Sequence, residues 1–175
     1  MIRFKFAVDK AFAALHRMVS DHPGIDLHAA LKACYFADRS HLNAHLRPIF
    51  GATYRAMRFG PVPLEIYEMA KAESLWLAEL GVESVPWSLG GYRLTPTGSA
   101  QVDTSALSQS NQEHLRAGLE RSLSMSFNER TAATHGPDWQ AAELGYMRYE
   151  DMLDDRPDKE EVIEMLREKA RFMRL

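Results

Sequence analysis

The sequence has very little cysteine and no long hydrophobic run. Cys34 is the single cysteine among 175 residues, so no intramolecular disulfide can form. No stretch approaches the roughly 18 apolar residues that a membrane-spanning helix needs. Asp9 and Lys10 interrupt the apolar residues near the N-terminus, so no secretion signal is predicted. We therefore expect a soluble cytoplasmic protein with no membrane partner.

A large charge of either sign is missing as well. The formal net charge is -3, with 46% apolar and 26% charged residues. Nucleic-acid binding without sequence preference normally requires a basic surface, so a nucleic-acid partner is not expected. A chain of this length buries about two thirds of its surface, which is enough for one domain with a real core.

The usual catalytic and cofactor motifs are absent. The sequence contains no GxxxxGK[ST] or GxGxxG phosphate loop and no GxSxG nucleophile elbow. His135 could act as a general base, but the sequence offers it no nucleophile in reach. Cys34 lies on an apolar helical stripe, where a thiol is usually inert packing. These observations predict a protein that is not an enzyme and has no cofactor.

Two histidines have a spacing that also occurs in metal sites. His41 and His45 are four residues apart, and Asp38 or His28 could complete a ligand set. The segment lacks the glutamate of an HExxH motif, and basic residues surround it. A hydrogen-bonded or solvent-facing pair is therefore the preferred interpretation over a metal site.

The first half of the chain predicts helices around one short strand. Apolar spacing indicates a helix over residues 4–19, and Asp26 is a good N-cap for a second helix. Ser40 is expected to cap a short third helix through Leu46. Residues 53–59 form a candidate strand. Pro61 and Pro63 suit the first turn of the next helix, since proline lacks an N–H group.

The second half predicts a hairpin followed by helices. A short helical piece should end at Gly81, and Gly90-Gly91 favours a tight β-turn. Helices are expected at about 111–124, 127–135, 138–147 and 157–172. The fold class is mainly α with a small β-hairpin or sheet, with a winged-helix-like helical core and C-terminal helices. We expect one domain over 1–149, then an acidic hinge and a C-terminal amphipathic helix over 150–175.

The most specific signal lies in residues 31–67, LKACYFADRSHLNAHLRPIFGATYRAMRFGPVPLEIY. This order of glycine, aromatic, basic and proline residues resembles the Panacea domain of SocA-like antitoxins, and residues 134–139 resemble a second, shorter element of that family. The likeness covers about residues 27–140. The residues taken from it as family-motif or partner-binding candidates are Tyr35, Asp38, Arg39, Gly51, Tyr54, Met57, Arg58, Gly60, Pro61, Val62, Pro63, Tyr67, His135 and Trp139.

The resemblance implies an antitoxin of a type II toxin–antitoxin system, which neutralises a cognate protein toxin by direct binding. Some SocA-like members also present their toxin to a AAA+ protease as an adaptor, a role that belongs to a subset of the family. Many members carry an N-terminal DNA-binding domain. Before residue 27 this chain has room for one helix, so the Panacea domain alone is expected.

The sequence leaves alternatives open for the partners of Asp38, for the role of the motif and for the function. Asp38 on an apolar stripe is expected to be a buried anchor that accepts hydrogen bonds from the Tyr54 hydroxyl, from Arg55 or Arg58, or from backbone N–H groups at the start of the helix at Pro61. The motif can be scaffold, interface or both. The alternative function is a winged-helix DNA-binding regulator, although glutamates crowd the region that would enter the groove.

Overall fold

The computed structural model describes all 175 residues, which form helices around two small antiparallel sheets. This confirms the expected mainly α class with a small β component. In chain order the elements are α1 (Val8–Asp21), β1 (Ile25–Asp26), α2 (Leu27–His45), β2 (Tyr54–Met57), β3 (Gly60–Pro63), α3 (Leu64–Ala70), α4 (Ser74–Leu80), β4 (Trp87–Gly90), β5 (Arg93–Pro96), α5 (Gln109–Leu123), α6 (Phe127–Ala133), α7 (Pro137–Ala141), α8 (Tyr149–Met152) and α9 (Lys159–Lys169), with a final 3-10 turn (Ala170–Phe172).

Helix α2 is the central element of the core. The Asp26 side chain accepts a hydrogen bond from the Ala29 N–H at 3.2 Å, which confirms the predicted N-cap. Residues on all sides of α2 are buried. Helix α5 packs closely against it, because a Cβ at Gly118 would lie 2.7 Å from the Ala33 carbonyl oxygen. A helix enclosed in this way places its polar side chains inside the protein.

The predicted third helix at Ser40 is wrong. Helix α2 continues through that position to His45 and ends at Leu46, which has a φ of 55°. The Ser40 hydroxyl donates to the Ala37 carbonyl at 3.2 Å instead of capping a new helix. A serine side chain inside a helix can donate to a carbonyl of the preceding turn, so a serine in the sequence does not by itself mark the start of a new helix.

The predicted hairpin near Gly91 is confirmed. Strands β4 and β5 pair with Leu89 opposite Leu94, and the turn contains Gly91 and Tyr92, both with positive φ. Strand β1 pairs on the other side of β5, which gives the order β1-β5-β4. The likeness to a winged helix stays a prediction.

Strands β2 and β3 form a separate two-stranded ribbon, which we call the β2–β3 ribbon. Tyr54 lies opposite Pro63, and Met57 lies opposite Gly60. The two prolines were expected in the first turn of a helix, but they belong to β3, and α3 begins at Leu64. Proline is compatible with an extended backbone where its missing N–H faces away from the partner strand. The two prolines therefore fit an edge strand as well as a helix start, and the helix prediction placed them in the wrong element.

The segment after α7 also differs from expectation. A helix was predicted over 138–147, but α7 ends at Ala141, and Glu143 and Leu144 have positive φ. The chain then runs beside β2, where the Gly145 carbonyl accepts from Ala56 and the Met147 N–H donates to Tyr54. The β2–β3 ribbon therefore has a third, irregular neighbour on its β2 side.

The C-terminal residues pack on the same core as the rest of the chain. Val162, Ile163 and Leu166 of α9 are buried in the hydrophobic cluster that also contains α2. Four aspartates of the acidic 150–161 segment form ion pairs within the chain: Asp151 with Arg148, Asp154 with Arg39, Asp155 with Lys159 and Asp158 with Arg156. None of the helices is both long and apolar enough to cross a membrane.

Candidate functional site

Asp38 connects helix α2 to the chain that leads into the β2–β3 ribbon. Its side chain is completely buried. Oδ1 accepts from the N–H groups of Ile49 at 2.7 Å and Phe50 at 2.8 Å, and Oδ2 accepts from the Tyr54 hydroxyl at 3.0 Å. No arginine takes part. Asp38 thus bonds to two backbone amides in a stretch without regular structure and to the first residue of β2.

The buried position also controls the ionisation of Asp38. Burial raises the pKa of this carboxyl to about 7, although the hydrogen bonds from Phe50, Ile49 and Tyr54 favour the ionised form. The carboxyl therefore acts mainly as a hydrogen-bond acceptor and not as half of an ion pair. This is the geometry of a structural anchor.

A second buried carboxylate, Asp138, connects α2 to α7. The Tyr35 hydroxyl donates to Asp138 at 2.5 Å, and the Arg39 guanidinium lies 3.8 Å from the same oxygen. Arg39 also donates to Asp154 at 2.6 Å. Tyr35 and Arg39 from the first motif element therefore bind a residue next to Trp139 of the second element. The two elements are distant in sequence but form one network.

The turn of the β2–β3 ribbon is held by side chains from outside it. The Met57 carbonyl accepts from Trp139 Nε1 at 3.0 Å. The Phe59 carbonyl bonds to His28 Nε2 at 3.0 Å, and the Pro61 carbonyl accepts from Lys32 Nζ at 2.7 Å. We call His28, Lys32 and Trp139 the ribbon clamp. Three carbonyls within five residues are fixed in this way, so the turn has a defined position.

The ribbon clamp contains an unusual buried cation. Lys32 is 1% exposed and forms no ion pair with a carboxylate. Burial, together with the charge of the nearby Arg130 guanidinium, lowers the pKa of Lys32 to about 7. The amine is consequently close to half-protonated at neutral pH.

Arg130 determines which ring nitrogen of His28 donates a hydrogen bond to the ribbon. Arg130 donates to His28 Nδ1 at 3.0 Å, so the ring proton resides on Nε2 and faces the Phe59 carbonyl. Burial, followed by the charge of Lys32, lowers the pKa of His28 to about 4. Arg130 itself donates to the Ser122 and Met125 carbonyls at 2.8 Å each. Helices α5 and α6 thereby support the clamp.

Two motif glycines are required by close packing. Gly60 has a φ of 100°, and a Cβ there would meet Thr134 Oγ1 and would lie 2.8 Å from Lys32 Cε. Gly51 has a φ of 66°, and a Cβ would lie 2.9 Å from the Lys5 carbonyl oxygen. A side chain at either position would strain the backbone and displace its neighbours.

The other candidates of the motif have supporting positions. Pro63 is buried at the N-cap of α3, and Val62 is half-buried opposite Arg55. The Tyr67 ring lies beneath Lys71 Nζ at 5.0 Å, on α3 and not at the turn. His135 stacks on Trp139 with ring centroids 3.7 Å apart.

The turn itself presents apolar side chains to solvent. Met57 is 44% exposed and Phe59 is 47% exposed, and Arg58 between them is exposed too. Phe127 of α6 is 43% exposed and contacts Phe59 edge to face at 5.2 Å. The Arg58 guanidinium lies over the Phe59 ring at 5.2 Å. Of the candidate motif residues, Met57 and Arg58 are thus the two that are exposed to solvent.

The histidine pair has no metal-site geometry. His41 is buried, with Nδ1 against the Arg47 carbonyl at 2.7 Å and Nε2 accepting from Asn111 at 3.1 Å. His45 lies against the His41 ring, with centroids 4.4 Å apart. No group of three or more His, Cys, Asp or Glu side chains is arranged to hold a metal ion. The interpretation of His41 as a hydrogen-bonded residue matches this geometry.

Cys34 and His135 do not form a reactive pair. Cys34 is completely buried, and burial raises the pKa of its thiol. His135 is instead stacked on the Trp139 indole. A thiol that stays protonated in the core is a packing group and not a nucleophile.

Sequence reasoning missed His28 and Lys32 as clamp residues, and it missed Asp138. A lysine in an amphipathic helix normally faces solvent, so only the enclosure of α2 on all sides places it in the core. Asp138 had a weak signal, since it lies between Pro137 and the candidate Trp139. The exposed pair Phe59 and Phe127 could not be found, because the two residues meet only in the folded chain.

A comparison with family models identifies the group to which this architecture belongs. Residues 31–140 match the model described as "Antitoxin SocA-like, Panacea domain". This range begins within α2 and ends in α7, so it includes the Asp38 anchor, the β2–β3 ribbon, and Lys32 and Trp139 of the clamp. No curated protein and no solved structure shows a significant match. Because the matched region is more than half of the chain and includes both motif elements, the chain belongs to the SocA-like antitoxin family with a Panacea domain.

Proposed function

We propose that this protein is a cytoplasmic, non-enzymatic antitoxin of a type II toxin–antitoxin system, which neutralises a cognate protein toxin by direct binding. The observation that carries the proposal is the family match over residues 31–140. A protein that acts by binding needs a fixed surface and no catalytic groups.

The arrangement of the motif supports this function. Asp38 and the ribbon clamp use their hydrogen bonds to fix backbone, and Tyr35 binds Asp138, the residue before Trp139 of the clamp. They hold in place a turn whose own side chains are exposed. Preorganised apolar and arginine side chains lose little conformational entropy on association, which favours affinity.

The DNA-binding alternative stays a prediction, and no observation favours it. The helices around residues 61–80 that would enter the groove, α3 and α4, read LEIYEMA and SLWLAEL and contain no lysine or arginine. Lys71 between them is paired with Glu73. Next to the β4–β5 turn, Arg93, the first residue of β5, already donates to the Gly24 carbonyl at 3.0 Å. Phosphate contacts need free cations, and this region offers few.

The test is co-expression with the product of the neighbouring open reading frame. We would express that neighbour in a bacterium alone, with this protein, and with a frameshifted copy of the gene as the control. Growth arrest that only the intact protein relieves, together with co-purification of the two chains, is the expected result. A harmless neighbour, or arrest without relief, would contradict the proposed function.

The same strains test the adaptor role that part of the family has. The toxin level would be followed after translation is stopped, with and without the host AAA+ protease. Loss of toxin that requires both this protein and the protease indicates an adaptor. A stable toxin that co-purifies in an inactive complex indicates neutralisation by blocking alone.

A further inference from the structure

The exposed side chains at the end of the β2–β3 ribbon form one continuous surface. Arg55 lies opposite Val62 in the ribbon and opposite Tyr146 in the adjacent segment, so these side chains share a face. Met57 is two residues further along the same face, and Phe59, Arg58 and Phe127 lie at its end. We call Arg55, Met57, Arg58, Phe59, Phe127 and Tyr146 the tip surface.

The composition of the tip surface is that of a protein-binding site. Tyr146 is 61% exposed, and the three other large apolar side chains are each more than 40% exposed. Arginine, tyrosine, phenylalanine and methionine are enriched in the centres of protein interfaces. Scattered exposed apolar residues are ordinary on protein surfaces, but here four of them are grouped on a ribbon that buried groups hold in place.

The charge of the tip surface indicates what it binds. Neither Arg55 nor Arg58 forms an ion pair within the chain. Five of the seven carboxylates in the acidic 150–161 segment are already in ion pairs, those of Glu150, Asp151, Asp154, Asp155 and Asp158. Glu160 and Glu161 alone are left, so this segment of a second copy is a weak partner for the two arginines. Two free guanidiniums beside aromatic rings suit carboxylates on another protein.

We propose that the tip surface binds the toxin through an apolar patch bordered by carboxylates, and that the remaining motif residues serve to hold this surface in position. The proposal deepens the proposed function and relies on it for the identity of the partner. A nucleic acid is a poorer occupant, because two arginines provide few phosphate contacts and the protein has a net charge of -3.

The chemistry of the surface can be tested without the toxin. A phage library of random 12-residue peptides would be selected on the immobilised full-length protein. We expect enriched peptides that combine Asp or Glu with large apolar residues. Their binding should fall at least tenfold with Phe59→Ala/Phe127→Ala and with Arg55→Glu/Arg58→Glu. Tyr92→Ala and Arg116→Glu alter exposed residues elsewhere and are the matched controls.

The toxin is tested in parallel with the same variants. In titrations against the neighbouring gene product, both tip variants should weaken binding at least 100-fold and abolish growth rescue, while both controls retain them. Circular dichroism melting would confirm that all four variants are folded. The wild-type protein could fail to rescue growth while peptides that depend on the tip surface are still selected. That result would refute the toxin as the partner but would support the tip surface as a binding site.

Several outcomes would overturn the tip surface itself. The first is a phage selection that enriches no peptides combining acidic and apolar residues. The second is peptide binding that the tip variants do not weaken, and the third is full growth rescue by the tip variants. A dimer in sedimentation that Phe59→Ala/Phe127→Ala dissociates would assign the surface to a second copy. Tight, tip-dependent binding of a 20-nucleotide single-stranded DNA would assign it to nucleic acid.

Discussion

Helix α2 buries an acidic and a basic residue six positions apart, and the protein accommodates them in different ways. Asp38 accepts three hydrogen bonds, two of them from backbone N–H groups. Lys32 has one hydrogen bond, to the Pro61 carbonyl, and its neighbour Arg130 is also a cation. Neither forms an ion pair. The Asp38 carboxyl is held by three hydrogen bonds. The Lys32 amine has a single hydrogen bond, and both its burial and the nearby Arg130 disfavour its charge. Helix α2 therefore contacts the β2–β3 ribbon at two buried polar residues, of which Asp38 has the larger number of hydrogen bonds and Lys32 the more unfavourable electrostatic environment.

The largest expected effect is the loss of the Asp38 anchor. Asp38→Ala should lower the free energy of unfolding by about 3–5 kcal/mol, because it leaves two buried N–H groups without an acceptor and the Tyr54 hydroxyl with only the Cys34 carbonyl at 3.5 Å. Asp38→Asn keeps an oxygen for the two amides and should cost much less. Urea unfolding of both variants measures the difference. Equal losses would show that the charge of Asp38, and not its hydrogen bonds, provides the stability.

The next effect is a pH dependence that belongs to Lys32. Its pKa is about 7 in the folded protein and near 10.5 in the unfolded chain, so the unfolded chain binds more protons between these values. Stability should therefore increase by about 1–2 kcal/mol between pH 7 and about pH 8.5. Asp38 opposes part of this increase near pH 7, because burial raises its pKa to about 7 and the folded protein releases that proton in the same range. At higher pH Cys34 and the buried tyrosines oppose the increase as well, because burial raises their pKa values.

Lys32→Met isolates this contribution. It removes the buried cation and fills a similar volume, but it leaves the Pro61 carbonyl without its donor. These effects oppose each other, so stability at pH 7 should remain within about 1 kcal/mol of wild type. The increase from pH 7 to about 8.5 should vanish. Thermal melts across this range provide the measurement, and an unchanged slope in the variant would assign the pH dependence to another group.

A loss of stability is also expected where the ribbon passes over Lys32. Gly60→Ala should cost about 2 kcal/mol or more, since it combines a φ of 100° with contacts to Thr134 and Lys32. Gly91→Ala is the matched control, because its φ is 55° and open space surrounds it. It should cost about 1 kcal/mol from backbone strain alone. Equal costs at both positions would mean that the Lys32 side chain moves aside freely.

The smallest effect should come from Trp139→Phe. The variant loses the hydrogen bond from Nε1 to the Met57 carbonyl at 3.0 Å but keeps an aromatic ring against His135. We expect a loss of about 1 kcal/mol in stability. Toxin binding should decrease more than this, if the clamp positions the tip surface. Binding that decreases only in proportion to stability would make Trp139 a packing residue.

Features that depend on short stretches of sequence could be predicted from the sequence alone. Asp26 as an N-cap and the hairpin at Gly91 follow from short-range chemistry, and the Tyr54 contact of Asp38 was among the expected hydrogen bonds. The strand identity of Pro61 and Pro63 could not be read from the sequence, because proline suits a helix start and an edge strand equally.

The clamp was hidden for a different reason. Lys32 is buried only because α2 is enclosed on all sides, and the exposed Phe59 meets Phe127 only through tertiary packing. Sequence patterns describe one element at a time, whereas the candidate site is defined by contacts between elements.

The two prolines of β3 also restrict how a partner can bind. Pro61 and Pro63 have no N–H to offer an incoming strand, and the Pro61 carbonyl is already occupied by Lys32. The other edge of the ribbon is covered by residues 145–147. β-Augmentation, in which a peptide extends a sheet through main-chain bonds, is therefore blocked on both sides. Recognition at the ribbon has to proceed through side chains, so partner choice can change by substitution at a few exposed positions while the scaffold remains the same.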